Sequence, residues 1–456
     1  MNRADFAGKK VVVLGGGISG IAAINLLTDL GSTVFFVDGN EKLDVADFKG
    51  KLSKPGAVDV FLGMLPEDKY EGVELAVISP GVPLDVPMVE AVAAKGVKII
   101  GEVELAFVCQ KGRVAAITGT NGKTTTTSLV GEIFKAYYSD VRVVGNIGTP
   151  YSIKVLDSTD ETVYAAELSS FQLETAYTFD PRVSAILNIT PDHLNRHHTM
   201  ECYIEMKEKV TQNHKADDTC VLNFEDEVLR AFGETLTCKV MFFSSKSVLE
   251  NGYYYKEGTI YKATNGATEA ILQVKEQSLL GLHNYENIMA AIAITEAMGV
   301  PMEKILEAVK AFKAVEHRIE YTCTKRGVDF YNDSKGTNVD AAIMAIRAMD
   351  RPTHLIGGGY DKHCSFIPWL EEFGDKVKSL VLIGQTRDQI KAEAESLGIG
   401  NIFYAESLEE AVKLCYDRAS EGEAVLLSPA CASWGMFDNY EQRGRMFKDI
   451  ARGLAE

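Results

Sequence analysis

The sequence predicts an α/β protein in which helices alternate with the strands of mainly parallel sheets. Short runs rich in Val and Ile recur along the chain and are apolar throughout, which is typical of parallel strands buried on both faces. Helical stretches such as Ile18–Leu30, Asn284–Met298 and Met302–Phe312 lie between these runs, as in right-handed βαβ units. The predicted strands are Lys10–Leu14, Thr33–Val37, Leu75–Ile78, Val114–Ile117, Val141–Val144, Thr162–Ala166, Val183–Ile189, His354–Ile356, Leu380–Ile383 and Ala424–Leu427.

The length and composition indicate a multidomain cytoplasmic protein. A chain of 456 residues is too long for one ordinary core, and we place domain boundaries that give residues 1–101, 102–314 and 315–456. The net charge of −17 argues against nucleic acid as a partner. No run reaches the ~20 apolar residues of a membrane span, and the N-terminus has no signal-peptide stretch. The eight cysteines form no CxxC pair, which favours a reducing compartment.

The strongest motif is Thr118-Gly119-Thr120-Asn121-Gly122-Lys123-Thr124-Thr125, which follows the strand Val114–Ile117. Backbone N–H groups of such a loop and the amino end of the next helix bind phosphate oxygens. Lys123 would place a positive charge at the β- and γ-phosphates, and the Thr124 hydroxyl can join Mg²⁺. Ile117 stands where the usual motif has its first glycine, so the match is incomplete. We predict phosphate binding, with an ordinary turn as the alternative.

A second glycine-rich segment, Gly15-Gly16-Gly17-Ile18-Ser19-Gly20, follows the first predicted strand, and Asp38 ends the second. This pattern matches G-x-G-x-x-G with an acid about 20 residues further on, as in dinucleotide-binding folds. It predicts a nucleotide at this crevice but does not distinguish NAD, FAD or a UDP-sugar. A pure packing role for the glycines is the alternative.

Two residues are candidates for a magnesium site beside the phosphate loop. Glu167 ends the run Tyr164–Ala166, and carboxylate oxygen is a ligand that Mg²⁺ prefers. His193 follows another strand, but imidazole suits Mg²⁺ less well, and taken alone it would be interpreted as a loop histidine. Cys431 could act as a nucleophile, yet no histidine follows it in the C-terminal segment, which disfavours that chemistry.

The motifs occur in one order along the whole chain: GTNGKTT, GNIG, ELSSFQLE, DHL, GLHN, EHR, NDSKGTN, GG–DK and SPACASW. This order resembles the Mur ligases of peptidoglycan synthesis, and among them the members that add D-glutamate. The segments ELSSFQLE and SPACASW…NYEQRG are the most discriminating. No segment is similar to the DNPR motif of the sister ligases that add diaminopimelate or lysine.

The resemblance implies three domains: an N-terminal Rossmann-like domain that binds UDP, a central P-loop ATPase with a mainly parallel sheet, and a C-terminal Rossmann-like domain. It implies an amide ligase whose small-molecule substrates are UDP-N-acetylmuramoyl-L-alanine, D-glutamate and ATP, and which acts through an acyl phosphate. It further implies two Mg²⁺ sites and a CO₂-derived carbamate on Lys207. We expect a monomer.

The resemblance also assigns roles by position. Catalysis would depend on Lys123, Glu167, His193 and Lys207. One Mg²⁺ would be held by Thr124 and Glu167, and the second by His193 and carbamylated Lys207. ATP would be bound by Gly119, Thr120, Asn121, Gly122, Lys123, Thr124, Thr125, Asn284, Arg318 and Asp333. The UDP-substrate would be bound by Ser19, Asp38, Ser79, Pro80, Gly81, Asn146, Ser169 and Gln172. D-glutamate would be bound by Thr337, Lys362, Ser433, Trp434 and Tyr440.

Lys207 is the boldest of these assignments. In a helix over residues 202–212, Lys207 and Lys209 point to different sides, and both would ordinarily be solvated surface lysines. The resemblance selects Lys207 because it follows the Tyr203-x-x-Met206 stretch in the matching place.

Other classes remain as alternatives. An NAD-dependent oxidoreductase would use Gly15–Gly20 but would leave GTNGKTT unexplained. A P-loop switch protein would need a guanine-reading NKxD motif, which the sequence lacks. Among amide ligases, the nearest alternatives are another Mur ligase and a folylpolyglutamate synthase, of which the latter has no UDP-binding first domain.

Overall fold

The computed structural model describes residues 1–361 and 364–455, and it contains three sheets built around the predicted parallel strands. Each of the ten predicted runs coincides with or overlaps a strand of the structure. The run Val183–Ile189 leaves its strand after Ile186, because Leu187 and Asn188 bond to Thr118 and Thr120 of the predicted phosphate loop. The chain forms two compact units, residues 1–273 with 287–309 and residues 274–286 with 310–456.

The first sheet has five parallel strands in the order β3-β2-β1-β4-β5. Its strands are β1 Lys10–Leu14, β2 Thr33–Asp38, β3 Val58–Leu62, β4 Val73–Ile78 and β5 Lys98–Gly101, with helices α1 Ile18–Asp29, α2 Val45–Gly50 and α3 Pro87–Ala94, and α4 Glu102–Cys109 after β5. The strand order reverses between β1 and β4, and ligands of open α/β sheets bind at the carboxyl ends of such a pair. Gly15 and Ser79 follow these two strands directly.

The second sheet has nine strands in the order β14-β13-β12-β11-β10-β9-β6-β8-β7. Its strands are β6 Arg113–Thr118, β7 Val141–Gly145, β8 Val163–Glu167, β9 Val183–Ile186, β10 Thr219–Asn223, β11 Lys239–Ser244, β12 Gly252–Lys256, β13 Thr259–Thr264 and β14 Ala267–Gln273. The associated helices are α5 Lys123–Lys135, α6 Ser170–Leu173, α7 Leu194–His197, α8 Met200–Glu208, α9 Glu227–Thr235, α10 Leu282–Ala297 and α11 Met302–Ala311. β12–β14 pair antiparallel, whereas the strands from β7 to β12 are parallel.

The third sheet has six strands in the order β15-β16-β20-β17-β18-β19, and β15–β16 is its antiparallel pair. Its strands are β15 Glu320–Lys325, β16 Val328–Asn332, β17 Thr353–Gly357, β18 Val377–Leu382, β19 Ile402–Tyr404 and β20 Ala424–Leu427. Its helices are α12 Val339–Ala348, α13 Ile367–Glu371, α14 Arg387–Ser396, α15 Leu408–Arg418 and α16 Tyr440–Gly453. Among the described residues, no helix is long and apolar enough to cross a membrane.

The glycine-rich turn after β1 has a steric cause. Gly15 has a φ of 93°, and a Cβ there would lie 2.5 Å from Val82 Cγ2. A Cβ on Gly20 would lie 1.9 Å from the Gly15 carbonyl oxygen. The close approach of α1 to the β1 turn therefore requires glycine, so packing accounts for at least part of the motif.

We predict that Gly20→Ala lowers the free energy of unfolding by about 1–3 kcal/mol, the usual range for overpacking a tight site. Gly50→Ala is the matched control, because Gly50 also lies in a helix but a Cβ there would meet nothing within 4 Å. This control is expected to be neutral or stabilising by up to about 1 kcal/mol, since alanine favours helix more than glycine does. Denaturant unfolding of both variants checks the prediction, and equal stabilities would contradict it.

Candidate active site

The predicted phosphate loop lies at the carboxyl end of β6 and leads straight into α5. Gly119 and Gly122 have φ values of 143° and 85°, and a Cβ on Gly122 would lie 2.3 Å from Asn287 Oδ1 of α10. The Lys123 Nζ donates to the carbonyls of Gly119 and Thr120, at 2.8 Å each. The predicted lysine therefore folds over its own loop at the amino end of a helix, where anions bind favourably.

The segment after β9 supports this loop. The Asn188 carbonyl accepts from the Thr120 N–H at 2.9 Å, and the Asn188 Oδ1 accepts from the Asn121 N–H at 2.8 Å. The Thr120 Oγ1 in turn accepts from the Thr190 N–H at 3.0 Å. These bonds fix the loop against the segment that follows β9.

Glu167 lies at the end of β8, beside β6, and its residue surface is 2% exposed. Its Oε1 accepts from Asn146 Nδ2 at 2.8 Å, which joins a predicted metal ligand to a predicted substrate contact. Its Oε2 is buried and has no hydrogen-bond partner among the described residues. A buried carboxylate oxygen without a partner is costly, and a cation would satisfy it. The site thus fits the predicted Mg²⁺.

Lys207 lies inside the protein, so its interpretation as a surface lysine is wrong. It is 1% exposed, its Nζ donates to the Gly119 carbonyl at 2.8 Å, and the same Nζ lies 4.5 Å from the centre of the Tyr203 ring. Burial holds the pKa of Lys207 well below its usual value, and the charge of Lys123 lowers it further. Lys209, by contrast, is only half-buried.

His193 begins a row of ring contacts that ends beside Lys207. It adopts a left-handed backbone, with a φ of 53°, and its half-exposed ring lies 4.9 Å from the ring of Phe171. His197 lies 5.3 Å from Phe171 on one side and 5.3 Å from Tyr203 on the other. The structure therefore places His193 and Lys207 along one wall, without a direct contact between them among the bonds described.

Tyr203 is a site residue that the sequence analysis did not assign. Its hydroxyl lies 3.0 Å from Thr120 Oγ1, and burial raises its pKa to about 12. The sequence could have indicated Tyr203, because it precedes Lys207 by one helical turn and therefore lies on the same face of the helix.

The predicted UDP-substrate residues lie at the switch between β1 and β4 and near the end of β8. Both carboxylate oxygens of Asp38 accept backbone N–H groups, from Gly16 and Asn40 at 2.8 Å each. Ser79 is buried, whereas Ser19 and Pro80 are half-buried and Gly81 is exposed. Asp38 therefore stabilises the backbone of the glycine-rich turn, and it lies beside the turn that is predicted to bind the UDP-substrate.

Two further residues predicted for this substrate form a capping box at the start of α6. The Ser169 Oγ accepts from the Gln172 N–H at 3.3 Å, and the Gln172 Oε1 accepts from the Ser169 N–H at 2.9 Å. Ser169 thus starts a short helix at the carboxyl end of β8, immediately beyond Glu167.

Three predicted ATP residues lie in the second compact unit. Asp333 follows β16 and is buried, its Oδ2 accepts from Ser428 Oγ at 2.8 Å, and burial raises its pKa to about 7 while nearby Arg318 lowers it. Arg318 sits in a turn between His317 and Ile319, both with positive φ. Asn284 donates through Nδ2 to the Leu280 carbonyl at 2.7 Å.

Four of the five predicted D-glutamate residues are described: Thr337 follows β16, Ser433 and Trp434 follow β20, and Tyr440 begins α16. A cavity of about 220 Å³ is lined by Thr337, Tyr360, Cys431 and their neighbours. Trp434 is 56% exposed, and its ring lies 5.5 Å from that of Tyr360. The remaining members of the predicted set are buried Ser433, Tyr440 with Lys335 Nζ 3.9 Å from its ring centre, and Lys362, which lies outside the described residues.

Comparison with known proteins finds matches to one family in three consecutive segments of the chain. Sequence models match residues 9–101 (Mur ligase MurD-like, N-terminal domain), 117–295 (Mur ligase middle domain) and 317–431 (Mur ligase, glutamate ligase domain). A relative from Lachnospira eligens, named UDP-N-acetylmuramoylalanine--D-glutamate ligase, is 53% identical over 99% of this chain and 100% of its own. A relative of the same name from Lachnoclostridium phytofermentans is 51% identical over 99% and 100%.

The chain belongs to the Mur ligase family. Its fold is also similar to that of the solved UDP-N-acetylmuramate-alanine ligase from Thermotoga maritima, with a TM-score of 0.60 and 20% identity over 97% of this chain and 99% of that one. The solved MurF ligase from Thermotoga maritima in complex with ADP gives 0.59 and 19% over 99% and 97%. The predicted fold class, three α/β domains with mainly parallel sheets, is confirmed for this Mur ligase.

We predict that Asp333 makes the stability of this chain fall as the pH rises from about 4 to above 7. The folded carboxyl titrates near 7 and the unfolded one near 3.8, so the folded state binds more protons between these values. The full shift corresponds to about 4 kcal/mol, which is present below pH 3.8 and lost as the pH rises through 7.

Urea unfolding of Asp333→Asn and of the wild type at about pH 5 and about pH 8 checks this prediction. The wild type should lose more stability between the two than Asp333→Asn does. Asp340→Asn, at an exposed carboxyl, is the control and should keep the wild-type difference. An Asp333→Asn variant with the wild-type difference would contradict the assignment.

Proposed function

We propose that this chain uses ATP to join D-glutamate to UDP-N-acetylmuramoyl-L-alanine, in the synthesis of the peptidoglycan precursor. The observation that carries the proposal is the similarity to ligases of that name over 99% of the chain, with Lys123, Glu167 and Lys207 at one sheet edge. An oxidoreductase or a switch protein would leave the buried lysine and the unpartnered carboxylate oxygen without a use.

The chemistry needs two transfers in sequence. The alanyl carboxylate attacks the γ-phosphorus of ATP, the bond to the β,γ-bridging oxygen breaks, and an acyl phosphate and ADP result. The D-glutamate amine then attacks the acyl carbon, loses a proton and expels phosphate, so that an amide forms. Lys123 and the backbone N–H groups at the start of α5 would bind the phosphate oxygens, where negative charge concentrates as two anions approach.

The residues present fit a divalent cation beside this loop. Glu167, with its unpartnered buried Oε2, and Thr124, in the first turn of α5, would hold one Mg²⁺. When bound, Mg²⁺ would reduce the repulsion between the carboxylate and the triphosphate. His193 and modified Lys207 would hold a second Mg²⁺.

We extend the proposal to the Lys207 side chain, which would carry a carbamate. A neutral amine is required to attack CO₂, and burial of Nζ together with the charge of Lys123 favours the neutral form. Attack forms the N–C bond and releases a proton, so a neutral amine becomes an anion with two oxygens. Such an anion next to Lys123 would add an attractive interaction with that lysine's positive charge.

The same proposal covers the sites for D-glutamate, for the UDP moiety and for ATP. The cavity at Thr337 is large enough for a small amino acid, and it would select D-glutamate together with Lys362, Ser433, Trp434 and Tyr440. The turn after β1 and residues 79–81 would bind the UDP moiety, while Asn284, Arg318 and Asp333 would contact ATP. The domain division 1–101, 102–314 and 315–456, the monomeric state and a cytoplasmic location belong to the same proposal.

We predict ATP-dependent phosphate release that requires both UDP-N-acetylmuramoyl-L-alanine and D-glutamate. L-glutamate, L-alanine, L-lysine and diaminopimelate should give little release, because the amine of each would be misplaced relative to the acyl carbon. Lys123→Ala should fold and lose about a hundredfold or more in kcat, since it removes a charge from the phosphate site. Release with L-lysine in preference to D-glutamate, or full activity of Lys123→Ala, would refute the proposal.

We predict that Lys207→Ala is nearly inactive and that added acetate partly restores it, because acetate supplies the missing carboxylate oxygens. Wild-type activity should fall when bicarbonate and CO₂ are removed. Lys209→Ala is the matched control, two residues along the same segment. It should be active without acetate and should lose activity, as the wild type does, when bicarbonate and CO₂ are removed. A fully active Lys207→Ala would rule out the carbamate.

A further inference from the structure

A second cluster of possible metal ligands lies in the central sheet, away from the phosphate loop. Asp180, His214 and Asp218 each offer one ligand atom, and these atoms all lie within 4.8 Å of one another. Asp180 precedes β9 and Asp218 directly precedes β10, which is next to β9. The cluster is therefore at the amino ends of these strands, whereas Lys123 and Glu167 lie at the carboxyl ends of neighbouring strands of the same sheet.

The His214 ring is oriented toward the two carboxylates. Its side chain is 2% exposed, and its Nε2 lies 2.7 Å from Ser184 Oγ. Its Nδ1 lies 3.9 Å from Asp180 Oδ1 and 3.9 Å from Asp218 Oδ2. Metal-binding histidines commonly have the non-coordinating nitrogen fixed by such a bond, which leaves the other nitrogen aimed at the ion.

Two of these atoms are buried without a hydrogen-bond partner among the described residues: His214 Nδ1 and Asp180 Oδ1. A separation of 3.9 Å is too long for a hydrogen bond between them. When the ring proton is on Nε2 and is donated to Ser184 Oγ, the Nδ1 lone pair points toward the two carboxylates, and a cation between them would satisfy all three groups.

The other carboxylate oxygens are already held in place. Asp180 Oδ2 accepts from Lys215 Nζ at 2.7 Å, and Asp218 Oδ1 accepts from Arg182 Nη1 at 2.9 Å. The Lys215 N–H donates to Asp218 Oδ2 at 2.7 Å, and a carboxylate oxygen has a second lone pair for a metal. One oxygen of each acid is thus left facing His214.

We propose that Asp180, His214 and Asp218 form a binding site for one divalent transition-metal ion such as Zn²⁺. One imidazole and two carboxylates suit Zn²⁺ better than Mg²⁺. Bonds to Zn²⁺ of about 2.0–2.2 Å place tetrahedral ligands roughly 3.3–3.6 Å apart, so each His214–carboxylate pair, now 3.9 Å apart, needs to close by about half an ångström.

A bound ion would constrain the segment that follows α8, the helix that contains Lys207. A 3-10 turn, Lys209–Thr211, follows α8 directly, and His214 comes three residues later. Asn213 Nδ2 already donates to the carbonyls of Tyr177 and Phe179, at 2.9 and 3.0 Å. An ion shared by Asp180 and His214 would tie this segment to the start of β9, far from the reacting groups, and its role would be structural.

The test is a Zn²⁺ titration of the full chain, stripped with a chelator and kept in millimolar Mg²⁺, with a chromophoric chelator as competitor. The wild type is expected to bind one Zn²⁺ and to unfold at a higher temperature with it, because an ion bound to the folded state stabilises it. His214→Gln and Asp180→Asn should each weaken binding by more than about tenfold. Asp180 is half-buried, so Asp180→Asn is expected to disturb folding less than a substitution at a fully buried residue would.

Two controls locate the ion. His354→Gln alters another buried histidine next to an acid, but both ring nitrogens of His354 already have partners, Ser379 and Glu423, so binding should persist. Binding should also persist in His193→Ala, which separates the site from the phosphate loop. Absence of a Zn²⁺-dependent shift in the wild type, unchanged affinity in either cluster variant, or loss of the ion in His193→Ala would overturn the proposal.

Discussion

Two lysine side chains converge on one backbone carbonyl, and much of the central site depends on that arrangement. The Nζ atoms of Lys123 and Lys207 each lie 2.8 Å from the Gly119 oxygen, although one belongs to the loop and the other to a separate helix. Two ammonium ions so close together repel strongly in a buried place. Burial and the positive charge of Lys123 both lower the pKa of Lys207, which favours a neutral amine beside the lysine of the predicted phosphate loop.

The backbone makes this convergence possible. The loop bends back at Gly119 and Gly122, residue 122 packs against Asn287, and the Asn188 segment holds the loop from the other side. α8 then brings Tyr203 and Lys207 to the same loop from one helical face. The Asn188 segment and α8 both belong to the connection after β9, and Asn287 belongs to the helix that comes after β14, so the arrangement is a property of the sheet edge and not of the motif alone.

The sequence was sufficient for the fold class and for ten strands of the three sheets, because parallel strands buried on both faces leave continuous apolar runs. The sequence did not show which polar side chains form hydrogen bonds to the backbone. Asp38 was assigned to the UDP-substrate, yet its oxygens also accept the N–H groups of Gly16 and Asn40. Ser169 and Gln172 were assigned to substrate, yet they also cap α6. A motif shows which residues recur together, but not whether one side chain serves the backbone, the ligand or both.

Burial was the property that the sequence could not supply. Lys207 and Lys209 are chemically identical and two positions apart, and only the packing of α8 places one against Tyr203 and the other near the surface. The same holds for His214, which no spacing marks as a ligand, because Asp180 comes from a segment 34 positions earlier and meets it only where β9 and β10 pair. Local pattern predicts elements, whereas the environment of a titratable group depends on contacts between distant segments.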